Sequence, residues 1–294
     1  MTRIALVGPG GVGTFFAAHL AAAGQDIVAC ARRPFTEYLV ESETAPTHGP
    51  AKVVTDPAEL DGPVDWVLLA VKTHQTDGAA GWLDVLCNAD TQVVTVQNGV
   101  EGRRRAEPYV NDATVWPAVV YCGAELVAPG HSRHSSHGML IVPDKPRMHE
   151  LAALFDGTGA RVKPDPDYIT QLWRKLGVNT VVNGLSALTD KPIGVVGEPT
   201  LRPIAEQLLS ECWAVAAAEG AELGDDDVVP AIDGMVGVGG TTSMRVDRQN
   251  GRATEYDALY GAVVRIGAEH GIPTPTQALV GALIAAGDPD PPAG

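Results

Sequence analysis

The chain has 294 residues, 45% hydrophobic and 19% charged. That is core material for two domains of ordinary size and excludes a disordered chain. Its 36 acidic and 21 basic residues leave a formal charge of −15, which argues against nucleic acid or anionic membrane as partners but leaves room for an anionic small substrate in a locally positive pocket. Cys30, Cys87, Cys122 and Cys212 lie far apart without a C-x-x-C pair, a spacing that fits neither a zinc site nor a disulfide framework. No apolar run approaches the ~18 residues of a membrane span. Met1-Thr2-Arg3 runs directly into a strand pattern, unlike a signal peptide. The expectation is a soluble, cytoplasmic protein.

Ile4-Ala5-Leu6-Val7 reads as a short apolar strand entering Gly8-Pro9-Gly10-Gly11-Val12-Gly13, with an Ala-rich helix from Thr14 to Ala23 after it. A G-x-G-x-x-G between strand and helix is a dinucleotide-binding signature. Gly8 supplies the tight turn, Gly10 admits a pyrophosphate to the backbone, and Gly13 allows close helix–strand packing. Free N–H groups at the helix start then favour phosphate. The second strand, Asp26 to Ala31, ends in Arg32-Arg33 where an NAD site usually carries Asp or Glu. Guanidinium groups suit a 2′-phosphate instead, so NADP is preferred over NAD.

Residues 41–51 read as a polar loop with Pro and Gly. Val64 to Val71 is continuous and apolar, as a buried parallel strand should be, and Lys72-Thr73-His74-Gln75 opens a helix at its carboxyl end, the edge where open α/β sheets bind ligands. Lys72 there is a second positive group for a 2′-phosphate. Gln92 to Val96 is the next strand, and Asn98 follows at the same edge, placed either for the nicotinamide ribose or substrate or simply as an Asn-Gly turn. Thr114 to Val142 reads as short alternating strands with turns at Pro129-Gly130 and His137-Gly138. On a strand, His134 faces away from His131 and His137, and no acidic or cysteine partner is near, so no metal site is expected. A helix from Met148 to Phe155 and a strand at Arg161 to Lys163 precede Pro164-Asp165-Pro166-Asp167, which reads as a domain boundary.

Beyond it the periodicity is helical. Leu172 to Leu185 places Lys175, Asn179 and Asn183 four residues apart on one helix face, with apolar residues around most of the rest. Such a helix is normally buried, and a buried Lys–Asn–Asn stripe needs a polar companion. A second helix spans Leu201 to Glu219. Asp225-Asp226-Asp227 reads as a solvated loop or helix start, and a less regular segment with Gly237 to Gly240 leads to Thr241-Thr242-Ser243-Met244. Thr254 is a candidate N-cap for a helix ending at Gly271, and on local grounds Glu255 is a first-turn acid that complements the helix dipole. The fold expected is an α/β N-terminal Rossmann-type dinucleotide-binding domain over 1–166, then an all-α C-terminal domain over 167–287, with 288–294 a disordered tail. A dinucleotide site together with a desolvated lysine suits carbonyl reduction, in which Lys175 acts as general acid and its ammonium stabilises the developing oxyanion.

Taken together, Gly8 to Gly13, Arg32, Val71-Lys72, Asn98-Gly99, Leu172-Trp173-Arg174-Lys175 with Asn179 and Asn183, Thr242-Ser243-Met244 and Thr254-Glu255-Tyr256-Asp257 make the chain resemble the ketopantoate reductases (2-dehydropantoate 2-reductases). These enzymes reduce ketopantoate to pantoate with NADPH on the route to pantothenate. The resemblance covers essentially the whole chain. It implies that Arg32 and Lys72 hold the 2′-phosphate, that Asn98 lies at the nicotinamide end, and that Lys175 is the general acid. It further implies that Asn179, Asn183, Ser243 and Glu255 bind the hydroxyl and carboxylate of the substrate. The Lys-x-x-x-Asn helix also resembles 3-hydroxyisobutyrate dehydrogenases, which act on β-hydroxy acids; Ser243, Glu255 and Asn98-Gly99 favour the first family. Alternatives are a member reducing another 2-keto or β-keto acid, and a non-catalytic NADPH-binding redox sensor. The sensor would have no need of Lys175, Asn179, Ser243 and Glu255 together. A homodimer through the helical domain is possible, though no heptad seam specifies one.

Overall fold

A computed structural model describes residues 2–43 and 45–289, and the chain divides into two units between Tyr168 and Ile169. The first unit contains strands β1 (Arg3–Val7), β2 (Asp26–Cys30), β3 (Glu37–Glu41), β4 (Thr47–Pro50), β5 (Lys52–Val54) and β6 (Trp66–Leu69). It continues with β7 (Gln92–Thr95), β8 (Thr114–Pro117), β9 (Val119–Ala128), β10 (His131–Pro143) and β11 (Arg161–Asp165). Helices α1 (Gly11–Ala22), α2 (Ala80–Leu86), α3 (Gly102–Ala106) and α4 (Pro146–Ala153) lie among them.

Six strands form one sheet in the order β5-β2-β1-β6-β7-β8, with every neighbouring pair parallel. The chain winds outward in both directions from β1 and β6, so their carboxyl ends form the switch point at which such sheets bind ligands. Alternation along β1 divides the core. Ile4 and Leu6 join Phe15, Phe16 and Leu20 of α1 on one face. Ala5 and Val7 join Leu83 and Leu86 of α2 on the other. A second sheet runs β11-β10-β3-β4, with β9 paired to β10. Its Tyr38, Val40, Leu140 and Val142 share the core that holds α1. With a sheet on either side, α1 buries every residue from Gly13 to Ala21, which is why this helix has no polar stripe.

Three local expectations are corrected here. The segment 41–51 is not all loop: β4 pairs antiparallel with β3, and Gly49 lets it lie against α1, where a built Cβ would stand 2.8 Å from Ala21 Cβ. The His137-Gly138 pair is no turn but a shift of register within β10. Both residues have positive φ, 60° and 120°, and the ladder absorbs them as an irregularity. Gly138 thereby makes room for the Phe15 ring. Third, β8 is not one of a run of alternating strands but the outer member of the parallel sheet.

The three histidines of β10 go separate ways: His131 bonds to Glu41 at 2.9 Å, His134 stacks on Phe15, and His137 meets Tyr121 edge-on.

The second unit is helical: α5 (Tyr168–Thr189), α6 (Arg202–Ala218), α7 (Val228–Met235), α8 (Ser243–Gln249), α9 (Ala262–Glu269) and α10 (Pro275–Ala285), with a π-helical turn at Asp257–Gly261. Gly177 brings α5 hard against α6, since a Cβ there would meet Leu209 Cδ1 at 2.8 Å and Trp213 Nε1 at 2.9 Å. Among the described residues no helix is long and apolar enough to cross a membrane. The expected tail begins with a held residue, because the Asp288 carboxylate accepts hydrogen bonds from both the N–H and the hydroxyl of Thr254 at 2.9 Å. Residues 290–294 of that tail lie outside the described residues.

Gly49→Ala should lower stability by about 1–3 kcal/mol, the usual cost of overpacking, because its Cβ meets Ala21 and the Ala22 backbone. Gly78→Ala, with open space around its Cβ, is the control. Equal urea midpoints for the two variants would contradict the packing of β4 on α1.

Candidate active site

The glycine-rich turn joins β1 to α1 at the switch point. Gly8 has φ +92°, and a Cβ on it would lie 2.6 Å from Val71 Cγ1, so the turn can adopt its shape and touch the β6 edge only without a side chain. Gly13 packs as closely on Gly8 O and Ala70. Gly11, assigned by sequence only to the phosphate loop, also makes a close approach to the β9 backbone: its Cβ would stand 2.3 Å from Ala124 O. Gly10 differs from all three. Nothing lies within 4 Å of its Cβ position, and as N-cap of α1 it offers no side-chain acceptor to the first helix N–H groups. Open space beside uncapped helix N–H groups fits a pyrophosphate. Pro9 adds a fixed carbonyl, which accepts from the Thr14 hydroxyl at 3.2 Å, and Val12 packs at the edge of the α1 core.

Arg32 and Arg33 follow β2 and are exposed, with no ion pair among the described residues. Lys72 follows β6 and is half-buried. Three hydrogen bonds with no local sequence signal brace this edge. The Thr73 hydroxyl donates to the Asn98 carbonyl at 3.2 Å. The buried Gln97 amide donates to Val71 O and to Thr76 Oγ1, both at 3.0 Å. The loops carrying Lys72 and Asn98 are thus joined to each other, through partners 21 to 26 residues apart that no local pattern links.

In the helical unit, α5 carries Lys175, Asn179 and Asn183 one turn apart. Both asparagines are buried, at 7% and 5% exposure. Burial also holds the Lys175 ammonium below the usual lysine pKa, as expected for a cation removed from water. The Asn183 side-chain oxygen accepts the Met244 N–H at 3.3 Å, which fixes the amide orientation and leaves its NH₂ as donor. That bond ties α5 to the start of α8, where Thr242 caps the helix by accepting from the Arg245 N–H at 3.2 Å. Ser243, the first residue of α8, is exposed. Asp190, just beyond α5, accepts from Arg245 and Gln249 of α8 at 2.9 and 2.7 Å. The short helix that begins at Ser243 is therefore held to α5 by contacts at both of its ends.

Thr254 does not cap a helix; its hydroxyl donates to the Asp288 carboxylate, and a charged acceptor makes the stronger bond. Glu255 is only 8% exposed, and its backbone carbonyl accepts from the Leu259 N–H at 3.2 Å. A carboxylate so buried is not an ordinary first-turn surface acid. Among the described residues there is no cluster of three or more potential metal ligands.

A family model described as Ketopantoate reductase PanE/ApbA matches residues 4–147, and one described as Ketopantoate reductase PanE/ApbA C terminal matches 167–288. The 2-dehydropantoate 2-reductase of Mycobacterium tuberculosis is 39% identical over 294 residues, covering 99% of both chains. That of Caulobacter vibrioides is 39% identical over 290 residues, covering 97% of this chain and 98% of its own. The crystal structure of a PanE/ApbA family ketopantoate reductase from Ralstonia eutropha JMP134 superposes with a TM-score of 0.86 at 32% identity, covering 97% of this chain and 98% of that one.

The lowered Lys175 pKa has a sign for stability. The fold disfavours the ammonium, so the penalty is full below the folded-state pKa and disappears as pH rises past the ordinary 10.5. Relative to the wild type, Lys175→Met should therefore lose ground in its urea midpoint as pH rises from neutral to strongly alkaline, because the wild type sheds the desolvation penalty and the variant has none to shed. A midpoint difference independent of pH would contradict a desolvated ammonium.

Proposed function

The chain belongs to the ketopantoate reductase family, and on that premise we propose that it reduces 2-dehydropantoate to pantoate, a step of pantothenate synthesis, with NADPH as reductant and Lys175 as proton donor. The observation that carries this reading is the stripe on α5: a desolvated lysine beside two buried asparagines. Such a stripe sets an ammonium and amide N–H donors side by side, the donor set that suits the carbonyl and carboxylate of a keto acid. The cofactor, when bound, supplies the hydride that adds to the ketone carbon.

The chain's own residues do the rest. Open space at Gly10 and the N–H groups of α1 receive the pyrophosphate, while Arg32 and Lys72 meet the 2′-phosphate, and Asn98 lies at the nicotinamide end. As the ketone oxygen gains negative charge, the Lys175 ammonium hydrogen-bonds to it and then transfers a proton, giving the alcohol. Depression of its pKa by burial makes that proton easier to give than one on an exposed lysine. Asn179, Asn183 and Ser243 supply donors for the substrate's polar groups. Glu255 accepts the proton of the substrate hydroxyl in a hydrogen bond, which an unhydroxylated 2-keto acid cannot offer.

The first test is NADPH oxidation by the purified protein with 2-dehydropantoate beside other 2-keto and β-keto acids. Rapid turnover with 2-dehydropantoate alone is expected. Turnover only with another acid would move the specificity, and tight NADPH binding with no turnover anywhere would favour a sensor. Lys175→Ala should lower kcat by about 10²–10⁴, the range for a lost general acid, and near-normal kcat would remove Lys175 from the chemistry. Arg32→Ala should weaken NADPH far more than NADH in a binding titration; equal losses would refute the 2′-phosphate contact.

A further inference from the structure

Tyr260 is among the largest fully buried side chains, at 1% exposure, and the catalytic scheme above does not use it. Its hydroxyl donates to the Thr180 carbonyl at 2.5 Å, and the Gly184 N–H hydrogen-bonds to the phenolic oxygen. Thr180 and Gly184 are four apart, acceptor and donor of one rung of the α5 ladder. Each directly follows a stripe residue, Asn179 or Asn183. The phenol thus grips the backbone of α5 at the point where both asparagines are presented. Burial pushes its pKa upward, so it stays a donor.

The ring has no freedom to leave that position. A Cβ on Gly184 would fall 2.0 Å from the phenolic oxygen, and one on Gly281 of α10 would fall 2.9 Å from Tyr260 Cβ. Glycines on two helices leave the slot that the side chain fills. Tyr260 also sits inside the π-helical turn Asp257–Gly261. Such a turn carries one extra residue and sets the direction of the chain entering it, which here is the segment bearing Glu255. The turn is clamped by the Arg265–Asp257 ion pair at 2.6 Å. Side chain and turn together connect Glu255 to the asparagine stripe through one rigid aromatic group.

We propose that Tyr260 is a positioning residue that sets the spacing between Glu255 and the Asn179–Asn183 stripe, and so governs selection for a hydroxylated keto acid. The proposal rests on the functional reading above. Tyr260→Phe keeps the ring and removes only the hydroxyl, leaving the Thr180 carbonyl and the Gly184 N–H without it.

Two measurements test this. In steady-state kinetics, the variant's KM for 2-dehydropantoate should rise about three- to tenfold, the scale of one buried hydrogen bond. Its KM for trimethylpyruvate, the same keto acid lacking the hydroxyl, and its NADPH affinity should not move. Equal changes for both acids would mean a merely structural role and overturn the proposal, as would no change for either. In hydrogen–deuterium exchange, peptides covering Asn179–Gly184 and Glu255–Leu259 should exchange faster in the variant, with others unaffected. Unchanged exchange there overturns the proposal whether or not a keto acid is turned over. Wild-type protein that reduces neither acid, with the exchange difference present, would instead overturn the functional reading alone.

Discussion

Keeping an ammonium and two amides on the packed side of a largely buried helix is the constraint on which the helical unit depends. Helix α5 lies against α6 closely enough that only glycine fits at 177, and Leu176, Val181 and Leu185 are buried beside the stripe. Lys175, Asn179 and Asn183 cannot turn outward without exposing that surface. Their desolvation is a cost carried by the whole packing arrangement, and the depressed Lys175 pKa is the visible part of it. The same arrangement suits the lysine to the proton-donating role proposed for it. In water it would hold its proton too tightly to give it up readily near neutral pH.

The first unit solves a different problem, that of collecting positive charge on a chain of net charge −15. Because β5, β2, β1, β6, β7 and β8 are all parallel, their carboxyl ends emerge at one edge. Arg32 after β2, Lys72 after β6 and Asn98 after β7 therefore reach the edge that carries the glycine turn, although they are widely separated in sequence. Local charge at that edge is decided by strand direction, so an acidic composition overall does not prevent it. Hydrogen bonds from Thr73 and Gln97 then hold neighbouring loops in register. Loops at such an edge are ordinarily the least stable parts of a fold, and here they are braced by buried side chains.

Residue by residue, legibility in the sequence tracks the range of the interaction. The strand–glycine–helix motif, the arginine pair after β2 and the α5 stripe were all visible, because each rests on residues within one turn, one strand or one helix. Thr254 misled: it has the chemistry of an N-cap, but Asp288, 34 residues on, is the partner that holds it. The His137-Gly138 pair has turn composition, yet a long partner strand tolerated it as a bulge. Segment 41–51 looked too polar and too rich in Pro and Gly for a strand, and became partly one because Gly49 fits against α1.

What the sequence determined alone was therefore the local chemistry: a glycine-rich turn between strand and helix, cations after particular strands, a lysine and two asparagines on one helix face, and a change from strand to helix periodicity near residue 166. Those follow from backbone geometry and side-chain period, which act over a few residues. Tertiary structure decided which of these groups are buried and what anchors them. It attached Asn183 to Met244 across 61 residues and Tyr260 to Thr180 across 80. Partners at such separations meet only after the helices have packed, and no short-range pattern carries their identity. The chain alone marks Lys175 as a lysine on a largely apolar stretch of helix; only packing half-buries it and lowers its pKa.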